Sequence, residues 1–182
     1  MTGAVIVGVV VVAWLVRTYN RLVGLRNRRE EAWAGIDVQL QRRADLVPSL
    51  VETVKGYAGH ESAVLQEVTD ARAGVVQASG PAASGAADER LTGALRSLFA
   101  VAEGYPELEA SANFLSLQRQ LAVVEEELAF ARRYYNAVVE DLNTAVQRFP
   151  TLLVARPLGF SAGEYFRADS DARSVPDVDL DR

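Results

Sequence analysis

Between residues 110 and 149 the apolar positions recur in steps of four and three: Ala110, Phe114, Leu117, Leu121, Val124, Leu128, Ala131, Tyr135, Val138, Leu142, Ala145 and Phe149. A heptad seam of about forty residues is a helical signal, and alternation along a strand does not produce it. Leu115, Ala122, Val139 and Val146 widen the stripe, as a helix with more than one neighbour requires. The spacing predicts one helix starting at Pro106, where the first turn tolerates proline, and ending at Phe149-Pro150. Gly104 is expected to close the helix before it.

A partner helix is predicted over 19–58, where Leu22, Leu25, Ala32, Trp33, Ile36, Leu40, Ala44, Val47, Val51, Val54 and Ala58 keep helical spacing. Pro48 interrupts it. Ser49 and Glu52 have capping-box spacing, but the apolar period continues through the proline, so a kink is expected over a restart. Two shorter helices are predicted at 61–78 and 89–103. Gly56 and Gly59 form a joint before the first, and Asp88 caps the second. The small-residue run SGPAASGAA at 79–87 reads as a loop.

The first sixteen residues carry no charge, and 4–16 are almost all Val, Ile, Leu, Ala and Trp. Sixteen helical residues rise about 24 Å against a hydrocarbon core of about 30 Å. Arg17 can snorkel, and Trp14 and Tyr19 suit an interface, which lengthens the effective span. A cleaved signal peptide would show a basic residue before the apolar run and a small-x-small site after it, and this run has neither.

The predicted fold is therefore all-α: an N-terminal transmembrane helix continuing into an elongated antiparallel four-helix bundle of two long and two short helices. The division is 1–18 for the transmembrane helix and 19–150 for the bundle. An irregular apolar segment packed on the bundle follows at 151–166, and a disordered acidic tail at 167–182.

Charge adds an orientation. The formal net charge is −5, from 19 basic and 24 acidic residues. Arg17, Arg21, Arg26, Arg28 and Arg29 lie in residues 1–29 with no acid among them; removing these five leaves 14 bases against 24 acids, a net of −10. This basic collar is the candidate membrane-surface site, facing anionic headgroups or serving only as a topology signal. By the positive-inside rule it places the bundle in the cytoplasm. The acidic body argues against nucleic acid as a partner.

Candidate chemistry is sparse. With no cysteine and one histidine, His60, thiolate and zinc sites are not expected. His60 reads as structural, with pH sensing the lesser alternative. Gly159-Phe160-Ser161-Ala162-Gly163 matches the G-x-S-x-G pattern, but no strand is predicted before it, and the motif needs a strained strand-to-helix turn, a base and an acid. Asp177, Asp179 and Asp181 alternate without the glycine and distal glutamate of a calcium loop. No catalytic residue, metal or cofactor is expected. Two rows of polar residues, Asn20, Asp37, Gln39, Arg42, Arg43 and Asp45 on the first helix and Gln118, Glu125, Glu126, Arg132, Asn136 and Asn143 on the last, either fix helix register inside or form a solvated face. The solvated face is the preferred reading.

The blocks YNRLVGLRNRREEAW (19–33), IDVQLQRRADLVPSLVETVKGYAGHE (36–61), YPELEASANFLSLQRQL (105–121) and ELAFARRYYNAVVEDLNTAVQRFP (127–150) resemble, in content and order, the LemA family of bacterial membrane proteins. The resemblance covers about 19–166. It implies a membrane helix with an antiparallel four-helix bundle, no established enzymatic activity, and association with membrane-stress proteases and membrane remodelling, magnetosome membranes included. The run at 79–87 and the acidic tail fall outside the family pattern. Together these readings lead to the expectation of a single-pass protein of the bacterial plasma (inner) membrane. It would be a homo-oligomeric, non-enzymatic scaffold or, alternatively, an adaptor for a membrane protease or other envelope protein.

Overall fold

The computed structural model describes residues 2–166. All regular structure among them is helical: α1 (Thr2–Lys55), α2 (Ser62–Gln77), α3 (Pro81–Ala102), α4 (Pro106–Glu109), α5 (Ala112–Gln147) and α6 (Leu152–Ala155). The all-α expectation holds. The predicted acidic tail, with Asp177, Asp179 and Asp181, lies outside the described residues.

The chain forms two compact units. The first holds residues 2–45 and 118–165, and the second holds 46–117 and 166. In the first unit α1 and α5 run antiparallel. Arg43 meets Glu125, Trp33 meets Tyr135 and Leu22 meets Leu142, so positions fall on one helix as they rise on the other. The core is the predicted stripe: Leu22, Ala32, Ile36, Leu40 and Ala44 from α1 against Leu121, Val124, Leu128, Val138 and Leu142 from α5, all buried. Each large side chain withdrawn in this way contributes about 1.5–3 kcal/mol. Val146, Ala155 and Phe160 join that cluster, so residues after α5 are the further neighbour that the widened stripe called for. Leu115 and Ala122, assigned to the same widening, are exposed.

In the second unit Leu50 and Val54 of α1, Leu65 and Val68 of α2, Leu91 and Leu98 of α3, Leu108 of α4 and Phe114 of α5 are buried. Phe99 and Phe114 meet edge to face at 6.0 Å, and Asn113 Nδ2 donates to Thr53 Oγ1 at 2.8 Å.

Two boundaries differ from the sequence reading. The expected loop at 79–87 is helix from Pro81 onward, and only 78–80 separate α2 from α3. Proline suits the first helical position, alanine is the best helix former, and Gly80 takes φ +82° at the cap, where a side chain would be strained. Asp88 is therefore not a cap. It sits inside α3, buried. Second, the helix expected from Pro106 is broken into α4 and α5. The Leu115 N–H donates to the Ser111 carbonyl at 3.0 Å, which puts Ser111 in the N-cap position that serine favours over a helix interior. Ala110 and Phe149, the ends of the predicted seam, consequently lie outside α5 and are exposed, while Ala131 is half-buried and the other nine are buried. As the apolar period through Pro48 led us to expect, α1 does not restart there: helix continues to Lys55, and the Ser49 carbonyl accepts from Thr53 Oγ1 at 2.7 Å instead of opening a new helix.

Candidate membrane-contact site

The first part of α1 has the composition of a core and the exposure of a surface. Val5, Ile6, Val7, Val9, Val10 and Val12 are each about 60% exposed or more. The best 18-residue window of α1 has a mean hydropathy of 1.8 and is only 6% buried. The helix is long and apolar enough to cross a membrane. Exposing so many contiguous branched side chains to water opposes the hydrophobic effect, and a bilayer removes that cost.

The five collar arginines do not act alike. On a helix turning 100° per residue, Arg17, Arg21 and Arg28 share one side of α1. All three are exposed. Arg21 and Arg28 line a cleft of about 540 Å³ with Asn20, Asp141, Thr144 and Arg148. Arg17 and Arg21 line a neighbouring cleft of about 340 Å³ that also includes Trp14, Arg148 and Phe149. The basic patch therefore has a member, Arg148 of the α5 terminus, that sequence reading missed. It lies 120 residues from Arg28, and only the antiparallel pairing brings it near.

Arg26 and Arg29 face the segment after α6. The Arg26 guanidinium carbon lies 5.5 Å from the centre of the Phe160 ring, a cation–π arrangement, and Tyr19 meets the same ring edge-on at 5.8 Å. The Arg29 side chain is largely covered and lies beside Gly163, where an added Cβ would stand 3.2 Å from Arg29 Cδ and 3.6 Å from Val139 Cγ1. A side chain here would need Arg29 to give by a few tenths of an ångström, so glycine suits the close approach.

That segment is fastened to α5 by polar groups. Asn143, buried, accepts from the Gly163 N–H at 2.7 Å and donates Nδ2 to the Gly163 carbonyl at 3.1 Å. Tyr135 donates its hydroxyl to the Glu164 carbonyl at 2.9 Å and packs edge-on against Trp33 at 5.7 Å. Burial raises the Tyr135 pKa above its ordinary 10.0; Arg29 opposes the shift and Glu164 adds to it. The last glycine of G-x-S-x-G accordingly serves packing. Ser161 is exposed, no regular element covers 160–166, and His60 belongs to the other unit.

The polar rows divide. Asp37, Asp45 and Glu126 are exposed, and Gln41 donates to Asp45 one turn away at 2.8 Å, as a solvated face predicts. Arg43 and Asn143 depart from that preferred reading, because both are buried. Arg43 Nη2 lies 3.0 Å from Glu125 Oε2 as an ion pair without hydrogen-bond alignment, and Arg42 bonds Glu127 at 2.7 Å. These pairs cross between α1 and α5. A charge on the inner edge of a helix pair tolerates few alternative alignments, which makes register the property they bear on.

In the second unit, α2 and α3 enclose a groove of about 1050 Å³ walled mainly by small residues, Ala71, Gly74, Ala83 and Gly93 among them, with Asp70 and Arg90 at its polar edges.

The family model described as the LemA family matches residues 32–180. The chain is 25% identical to magnetosome protein MamQ 2 of Paramagnetospirillum magneticum, with 92% of this chain and 71% of that protein covered. It is 26% identical to magnetosome protein MamQ of Magnetospirillum gryphiswaldense, covering 84% and 65%. To protein LemA of Metamycoplasma hominis it is 26% identical, covering 86% and 74%.

Proposed function

The chain belongs to the LemA family, and from that premise we propose that it is a membrane-anchored, non-enzymatic scaffold that self-assembles at the bilayer and organises or remodels it. The observation that carries this reading is the exposed apolar start of α1 running without a break into a basic collar. Residues 1–18 hold the chain in the bacterial plasma membrane as a single pass. The collar, with Arg17, Arg21 and Arg28 outermost, meets anionic headgroups, and the helical remainder lies in the cytoplasm by the flanking charge. The similarity to proteins named as magnetosome proteins supports a membrane-associated role. Confinement to a plane raises effective concentration, so even weak contacts between copies give lateral assembly.

Cross-linking in native membranes tests self-assembly. Ladders of the chain with itself are expected, and a persistent monomer would refute the scaffold. Because the chain has no cysteine, an impermeant maleimide against Phe130→Cys tests the orientation. Protection in intact cells is expected.

A second reading, an adaptor for a membrane protease or other envelope protein, draws on the α2–α3 groove, whose small residues leave room for a foreign side chain or helix. Purification from solubilised membranes separates the two. Mainly self-copies favour the scaffold, and a second protein in fixed ratio favours the adaptor.

A further inference from the structure

After α5 the chain turns at Phe149-Pro150-Thr151 into α6, and this turn turns its apolar groups outward. Phe149 is 72% exposed and Leu153 62%, with Leu152 exposed as well. By contrast Ala155, two residues on, is fully buried in the core with Leu22 and Phe160. The turn is therefore a fixed part of the unit that presents three large apolar side chains to its surroundings. Isolated exposed leucines are ordinary, but three within five residues are a patch.

The position of the patch points to what covers it. Phe149, Pro150 and Thr151 line the 340 Å³ cleft together with Trp14, Arg17, Thr18, Arg21 and Leu22 of α1, so the turn stands beside residues 14–22. The charge-free run of α1 ends at Arg17, so the edge of the hydrocarbon layer falls near that residue. A turn beside residues 14–22 stands at that edge, where its exposed apolar side chains reach the acyl chains next to the end of the span. Arg148 and Arg156 flank the turn and, with Arg17, can reach back to the headgroups.

We propose that the turn at 149–153 is a second membrane-inserted element, with Phe149, Leu152 and Leu153 in the acyl region beside α1. It adds a second apolar surface beside the end of the span. The proposal rests on α1 being a membrane span, and its test keeps the two ideas apart.

The full chain is labelled with a nitroxide at a single cysteine, Leu153→Cys, and reconstituted in vesicles of phosphatidylcholine and phosphatidylglycerol. Power saturation then compares accessibility to oxygen, which partitions into lipid, with accessibility to a water-soluble nickel chelate. Val10→Cys reports the span and Phe130→Cys reports water. A second turn label, Phe149→Cys, guards against a local disturbance at 153. The expected result is oxygen accessibility exceeding nickel accessibility at 153 and 149, with the sign seen at 10 and opposite to that at 130. Nickel dominating at both turn sites while oxygen dominates at 10 would overturn the inserted turn and leave the span standing. Low accessibility to both reagents would put a protein surface on the patch in place of lipid, and would equally overturn it. Nickel dominating at 10 as well would remove the span and this proposal together.

Discussion

Replacing Asn143 by alanine isolates the fastening of the segment after α6. The Asn143 amide closes two hydrogen bonds on the backbone of one residue: it accepts from the Gly163 N–H at 2.7 Å and donates to the Gly163 carbonyl at 3.1 Å. A neutral hydrogen bond contributes about 0.5–1.5 kcal/mol net, so losing the pair costs about 2 kcal/mol. At 1.4 kcal/mol per decade, that is about a 30-fold rise in the equilibrium for local opening of the segment. The Gly163 amide reports it directly. Its hydrogen exchange is expected to accelerate about 30-fold in Asn143→Ala, while amides around Leu128 keep their protection. Ser161→Ala, altering an exposed side chain in the same segment, is expected to change neither rate. An unchanged Gly163 rate in Asn143→Ala would refute the reasoning, and would leave the packing of Ala155 and Phe160 as what holds the segment.

Other perturbations address other parts of the molecule. Tyr135→Phe removes the bond to the Glu164 carbonyl and is expected to lower stability by about 1 kcal/mol in urea titration. Because burial raises the Tyr135 pKa in the folded state, the unfolded chain releases that proton first. The stability it confers is full below pH 10 and is lost as pH climbs through the raised folded value, and the phenylalanine variant should lack this alkaline decline. Leu128→Ala empties a fully buried seam position and is expected to cost about 2–5 kcal/mol in the same titration. Gly80→Ala places a side chain at φ +82° with open space around it, so its expected penalty of about 1–3 kcal/mol is purely one of backbone conformation; a neutral midpoint would count against the α2–α3 connection described above.

What the sequence disclosed followed from periodicity, and what it concealed followed from tertiary structure. The step of four and three survives folding because it measures which side of a helix is dry, and nine of its twelve positions are buried. A helix long and apolar enough to cross a membrane was legible for a similar reason, since absence of charge is a local property. The segment 81–88 was misread because glycine, serine and proline weigh toward loops in composition alone, whereas here proline stands at the one turn of a helix that suits it and glycine at the cap. The apolar seam runs across Ser111 without marking the break there, which shows only in the backbone bond from Leu115 to the Ser111 carbonyl. Nothing local marks Arg148 as part of a basic patch, or Asn143 and Tyr135 as anchors for residues twenty to thirty positions on. Those roles exist only once α5 has been laid against α1 and the chain has doubled back. Arg43 differs, because it stands three residues after Leu40 and four before Val47, on the apolar side of α1, and it is buried while Arg42 beside it is exposed.

Helix α1 contains no hinge between its apolar start and the residues that grip α5: from Thr2 through Asp45 it is one uninterrupted coil of hydrogen bonds. If lipid or a neighbouring helix sets the azimuth of the first five turns, the same angle is imposed on Leu22, Ile36 and Leu40 further along, as the blade of a key follows its bow. A change in bilayer thickness that tilts the buried end would swing the α5-binding stretch of α1 with it, and so would be felt as torque rather than absorbed as slack.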